Sequence, residues 1–123
     1  MPRILLIEDD LLTRKIVQKV LSRENYEVDS ASNGIEAFEF LEKNIQQYDL
    51  IITDLMMPNS NGFEIVKKAL SLKSGPPIPV FIISNAGNED TVMESFRSGA
   101  TDFIRKPIIP AELLERVRAI LKK

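Results

Sequence analysis

Tyr48-Asp49-Leu50-Ile51-Ile52-Thr53-Asp54-Leu55-Met56-Met57-Pro58 is the stretch whose reading decides the fold. An apolar run closes on Asp54 and breaks at once into Leu55-Met56-Met57-Pro58. That places a carboxylate at the C-terminal end of a buried strand, facing a loop. In open parallel α/β sheets, ligands and chemistry gather at those strand ends. An earlier run, Ile4-Leu5-Leu6-Ile7, ends the same way in Glu8-Asp9-Asp10. Two neighbouring strand ends then crowd three or four carboxylates into one space, which is costly unless a cation binds among them.

Working outward, strand and helix patterns alternate along the whole chain. Residues 11–22 carry a helical stripe of Leu12, Ile16, Val17, Val20 and Leu21. Tyr26, Val28 and Ser30 give a short alternation, read as a second strand over 26–31. Asn33-Gly34 breaks it, and Ile35, Phe38, Leu41 and Ile45 mark a second helix. The third strand covers 50–53, and Asn59-Ser60-Asn61-Gly62 reads as a loop. Phe63, Val66 and Leu70 mark a third helix. Gly75-Pro76-Pro77-Ile78-Pro79 is rigid punctuation before a fourth strand over 80–83. A fourth helix spans about 89–98, with Gly99 suited to its C-terminal cap. Phe103-Ile104 is a short fifth strand, and Pro110 opens a fifth helix striped by Leu113, Leu114, Val117, Ile120 and Leu121. Five βα units imply a parallel sheet with helices on both faces, an α/β fold. No internal repeat, low-complexity segment or linker interrupts them, so residues 1–123 are expected to form a single domain.

Composition narrows the chemistry. Of 123 residues, 44% are hydrophobic and 28% charged, ordinary proportions for a globular protein. The net charge of −2 gives no global pull toward nucleic acid or an anionic membrane. With no cysteine, disulfides and thiolate metal sites are excluded; with no histidine, so are a His base and a His phosphocarrier. No apolar run approaches the ~20 residues of a membrane span, and the four-residue run after Met1-Pro2-Arg3 is too short for a signal peptide. The expectation is a cytoplasmic domain.

The C-terminal strand ends collect Glu8 and Asp9, then Asp54, then Ser84, then Lys106-Pro107. The acids and a backbone carbonyl can hold Mg2+, which takes oxygen ligands. Asp54 can attack phosphorus, the Lys106 ammonium can neutralise charge on the transferring phosphoryl group, and the Ser84 hydroxyl can donate to one of its oxygens. Taken singly, each has a plainer role. Glu8-Asp9-Asp10 can cap a helix, the role assigned to Asp10; Asp54 can be a turn residue, Ser84 a helix cap, Lys106 a surface charge. Their coincidence at one edge favours the chemical reading.

This constellation resembles the receiver domain of two-component response regulators over the whole chain. The matching stretches are residues 4–10, Asp54 to Pro58 with Gly62 beyond, Val80-Phe81-Ile82-Ile83-Ser84, Gly99-Ala100-Thr101-Asp102-Phe103, and Lys106-Pro107. The resemblance implies a doubly wound, flavodoxin-like fold: a five-stranded parallel sheet of order 2-1-3-4-5 with five helices. It makes Asp54 the phospho-acceptor and Glu8 and Asp9 the acidic pair around Mg2+, with the Met56 backbone carbonyl completing the protein ligands. It makes Ser84 the conformational hydroxyl, Lys106 the phosphate-binding lysine and Phe103 the rotating aromatic, and it implies a cis Lys106-Pro107 peptide.

The implied activity is a signalling switch that catalyses only its own phosphorylation and slow dephosphorylation. The phosphoryl donor is a sensor histidine kinase or a histidine phosphotransfer protein, docking on Leu12, Ile16, Pro107 and Ile108. Output to a downstream protein uses helix four, strand five and helix five. No direct nucleic-acid or membrane contact is expected. Asp102, Glu112 and Arg116 fall where DNA-binding relatives place dimer salt bridges, but Val92 stands where a basic partner for Glu112 belongs. The expectation is a monomer, or a weak dimer on phosphorylation. Three residues depart from the usual pattern: Asn85 for a small residue, Phe103 for Tyr, and Ile108 for Phe. Two other classes stay in view. An Asp-nucleophile phosphatase needs a second Asp two residues after the first, where Met56 stands. An unphosphorylated α/β interaction module is favoured by loss of the Asp or the Lys, and both are present. The chain is expected to be either a single-domain regulator or a receiver from a longer protein, with Lys122-Lys123 as its end or a cut.

Overall fold

The structure, a computed structural model, describes residues 1–57 and 60–121. Pro58, Asn59 (the first residue of the stretch read as a loop) and Lys122-Lys123 lie outside the described residues. Five strands form one parallel sheet: β1 Arg3–Ile7, β2 Glu27–Ala31, β3 Leu50–Asp54, β4 Val80–Ser84 and β5 Asp102–Arg105. Their spatial order is β2-β1-β3-β4-β5, with β1 and β3 adjacent at its middle. The helices are α1 Leu11–Arg23, α2 Gly34–Asn44, α3 Gly62–Leu72, α4 Glu89–Arg97 and α5 Pro110–Leu121. A 3-10 turn, Ile45–Gln47, follows α2, and Met56–Met57 pairs antiparallel with Ser60–Asn61, so the stretch read as loop carries a two-residue ladder.

Both faces of the sheet are covered, as the unbroken apolar runs require. Leu5, Ile7, Ile51, Val80 and Ile82 pack on one side with Ala37, Leu41, Ile65, Val66 and Ala69 of α2 and α3. Ile4, Leu6, Leu50, Ile52, Phe81 and Ile83 pack on the other with Val17 and Leu21 of α1 and Leu113 and Val117 of α5. The helical stripes shift here from their expected positions. Ile35, Leu70, Leu12 and Ile16 are exposed, whereas Ala37 and Ala69 are buried. Small residues face the sheet where a helix lies close to it, and the larger apolar residues fall on the flank of the stripe.

Local chemistry sets the helix ends. Asp10 caps α1, its carboxylate accepting from the Thr13 amide at 2.9 Å and hydroxyl at 2.6 Å. Asn61 and Glu64 close a capping box at the start of α3, and Asn88 caps α4. Gly99 turns the chain after α4 at φ 111°. At the far end of the sheet from Asp54, Arg3 ties β1 to β2 through Asp29 at 2.9 Å, and the buried Tyr48 hydroxyl donates to the same carboxylate at 2.7 Å. These ties fix the register in which Ile7 faces Ala31 and Thr53, so that Glu8 and Asp54 emerge side by side at the other end.

Candidate functional site: an acidic cleft at the C-terminal edge of the sheet

Glu8 follows β1 directly, Asp54 is the last residue of β3, Ser84 the last of β4, and Lys106 follows β5. Ladder pairing aligns them: Asp54 faces Ile83, Ser84 faces Arg105, and the Lys106 amide donates to the Ser84 carbonyl at 2.9 Å. Asp9, Asp54, Ser84, Asn85, Lys106 and Pro107 line a cleft of about 550 Å³ at this edge. The Lys106-Pro107 peptide is cis.

Charge is concentrated here. Glu8 is 0% and Asp54 6% exposed. The Lys106 ammonium lies 3.0 Å from Asp54 Oδ2 and 2.8 Å from Glu8 Oε1. Its approach to Asp54 has hydrogen-bond geometry. Its approach to Glu8 Oε1 is an ion pair poorly aligned for one, so that buried oxygen accepts no hydrogen bond. The other oxygen, Oε2, accepts from the Asp10 amide at 3.0 Å. Burial pushes the Glu8 carboxyl up to about 7; Lys106 and the Asp10 amide pull it down without cancelling the rise, and Asp54 adds to it. Burial works against the Lys106 ammonium, but Glu8 and Asp54 outweigh it and hold its pKa above the ordinary value.

The donor set fits a hard divalent cation. Carboxylate oxygens of Glu8, Asp9 and Asp54 lie within 4.8 Å of one another, two of these residues are buried, and Glu8 Oε1 has an unused lone pair. Asp9 is exposed and reaches in from the rim. Met56 follows Leu55 at the mouth of the same cleft, its side chain exposed.

Ser84 is 3% exposed, and its hydroxyl oxygen accepts from the Ala86 amide at 3.0 Å. Its proton is thus available to donate, and it makes no hydrogen bond to Asp54 among the described residues. Phe103 is 7% exposed and packs in the core on the α4 side. Leu12 and Ile16 are exposed on α1, Pro107 is exposed and Ile108 half-buried. Sequence reasoning missed Arg14, whose guanidinium donates to the Glu8 carbonyl at 2.7 Å and pins the turn carrying the acidic pair. The available signal was a cation one turn into the helix that follows an acidic strand end.

The same architecture recurs among known proteins. A family model described as "Response regulator receiver domain" matches residues 4–118. The transcriptional regulatory protein ResD of Bacillus subtilis is 37% identical over 122 residues, covering 98% of this chain and 48% of ResD. The transcriptional regulatory protein SrrA of Staphylococcus aureus is 36% identical over 120 residues, again covering 98% and 48%. The chain thus spans about half the length of the curated relatives it matches. Among solved structures, the Vibrio cholerae chemotaxis protein CheY4 superposes with a TM-score of 0.89 at 30% identity, covering 98% of this chain and 99% of that one. The non-phosphorylated HemR receiver domain of Leptospira biflexa gives 0.88 at 28% identity, covering 100% and 96%. With that sheet order, that acidic strand edge and a family match over almost its whole length, the chain belongs to the receiver domains of two-component response regulators.

Proposed function

We propose that Asp54 accepts a phosphoryl group from a phosphohistidine on a sensor histidine kinase or a histidine phosphotransfer protein. The observation that carries this reading is the Lys106 ammonium held between Asp54 and Glu8 at the floor of an open cleft. A carboxylate oxygen of Asp54 forms the new P–O bond as the donor's P–N bond breaks, and the imidazole leaves with a proton from solvent. Lys106 stays within reach of the phosphoryl oxygens and offsets their charge. Ser84 would donate its proton to one of them. Glu8, Asp9, Asp54 and the Met56 backbone carbonyl would hold Mg2+, which when bound supplies further neutralisation of phosphoryl charge.

On this reading the domain catalyses only its own phosphorylation and slow hydrolysis. Met56, two residues after Asp54, offers no proton for phosphatase turnover. Residues 1–123 act as one receiver unit in the cytoplasm; none of the described helices is long and apolar enough to cross a membrane. The relatives are transcriptional regulators twice as long, so a nucleic-acid-binding output fits a longer protein, while this domain signals through α4, β5 and α5 by Ser84 and Phe103. A monomer, dimerising weakly at most on phosphorylation, is supported by Arg116, which already pairs within the chain with Asp102 at 2.6 Å and Glu112 at 3.5 Å.

The test is labelling by acetyl phosphate or phosphoramidate. Asp54→Asn abolishes it, because an amide is no nucleophile for this transfer. Replacing Glu8 and Asp9 together by Ala leaves the fold and removes Mg2+ binding. An Asp54→Asn chain that labels as well as the native one would show the acceptor to be another residue.

A further inference from the structure

The loop from Ser84 to Asn88 is anchored at both ends, by β5 pairing at Ser84 and by the α4 cap at Asn88. Within it Asn85 and Ala86 are exposed, and the half-buried Gly87 lies against the Arg105 side chain. A Cβ placed on Gly87 would lie 2.7 Å from Arg105 Nε, 3.0 Å from Cδ and 3.2 Å from Cζ. Gly87 does not have a positive φ, so its backbone conformation is open to other residues. A side chain there would have to push aside the exposed, flexible end of Arg105. None of the ion pairs among the described residues involves Arg105, though Glu112 lines the same hollow.

Arg105 sits where two parts of the switch meet. It is the ladder partner of Ser84 and precedes Lys106. Two residues from Phe103 on the same strand, it projects to the same face of the sheet, and both line a hollow with Val92 and Phe96 of α4. A long Arg stem covers surface well while its head stays in water.

We propose that Arg105 is a positioning residue for the phosphoryl-sensing loop: its side chain clamps Gly87 and holds Ser84 away from Asp54. The loop must displace Arg105 before the Ser84 hydroxyl reaches a phosphoryl oxygen. This rests on the reading of Ser84 and Asp54 given under the proposed function. A clamp that favours the resting loop lowers the apparent affinity for any ligand that needs the shifted one.

Beryllofluoride with Mg2+, a phosphoryl mimic, tests this by titration alongside amide resonances of residues 84–88. Arg105→Ala is expected to tighten apparent beryllofluoride binding about three- to five-fold and to move the loop resonances before ligand is added. Gly87→Ala, which drives the guanidinium off the loop, should do the same in the native background and nothing in the Arg105→Ala background. Arg105→Lys, which keeps a long stem, should restore native affinity. Unchanged or weaker binding by Arg105→Ala overturns the clamp, as does a Gly87→Ala effect independent of Arg105. If the native chain fails to bind beryllofluoride, or Asp54→Asn binds it equally well, the reading of the site itself falls and the clamp with it.

Discussion

Removing one carboxylate from the cleft should make the protein more stable, and Asp9→Asn is the cleanest way to do it. Asn is nearly isosteric with Asp, and Asp9 lies on the exposed rim, outside the Lys106 contacts. The oxygens of Glu8, Asp9 and Asp54 come within 4.8 Å of one another. Two unit charges at that distance repel by about 0.9 kcal/mol in bulk water and by about 3.5 kcal/mol at an effective dielectric near 20. Exposure of Asp9 and the neighbouring ammonium push the net figure toward the lower bound, about 1 kcal/mol. For a chain of this size that is about 3–5 °C in melting temperature. Urea unfolding followed by circular dichroism, in chelator and in excess Mg2+, reads both halves of the argument. In chelator Asp9→Asn should be the more stable; with Mg2+ the native chain should gain and the variant gain much less, because a ligand stabilises only the state that binds it. If the variant is no more stable than the native chain in chelator, the electrostatic argument fails. If Mg2+ stabilises both equally, Asp9 is no ligand.

The remaining expectations concern access to the cleft. Ile16→Asp, on the exposed face of α1, should slow transfer from a partner phosphohistidine and leave acetyl phosphate labelling unchanged; the reverse pattern places docking elsewhere. Asn85 lines the cleft beside Asp54, and Asn85→Ala should hasten decay of the phosphorylated state several-fold, roughly 1 kcal/mol of barrier. Slower decay would mean that Asn85 orients the attacking water instead of crowding it. Light scattering should show a monomer without beryllofluoride and no more than a weak dimer with it; a tight dimer would mean that Arg116 gives up its internal pairs with Asp102 and Glu112.

The strand ends were legible because the central strands of a parallel sheet are apolar throughout, so a terminal carboxylate stands out. β3 is buried along its whole length, and Asp54 closes it. β2 was harder: it lies at the sheet edge and only Ala31 within it is fully buried. The helix faces were read by their large apolar residues, which put Ile35 and Leu70 inside. The sheet instead meets Ala37 and Ala69, because close helix packing selects small side chains that carry little hydrophobic signal. Arg105 left no trace in the pattern, and Arg14 left only a faint one, a cation one turn into the helix after an acidic strand end. Arg14 bonds a backbone carbonyl and Arg105 lies against a glycine, and neither contact has a complementary residue type to betray it.

The arrangement also limits how a phosphoryl group can be accommodated. It would replace the single charge of Asp54 with roughly two. Among the described residues, Lys106 is the one cationic side chain in contact with Asp54, and it is already shared with Glu8. Glu8 is wholly buried, so the one positive charge of Lys106 would have to offset new oxygens while still facing Glu8 Oε1. The added charge must therefore draw further donors or a cation into the cleft. Ser84 has a free proton at the end of β4, its hydroxyl oxygen accepting from the Ala86 amide. Movement there bears directly on Arg105, its ladder partner, and through the shared hollow on Phe103 and α4. On the reading proposed above, a charge imbalance at the sheet edge would thereby be converted into repacking on the α4 face.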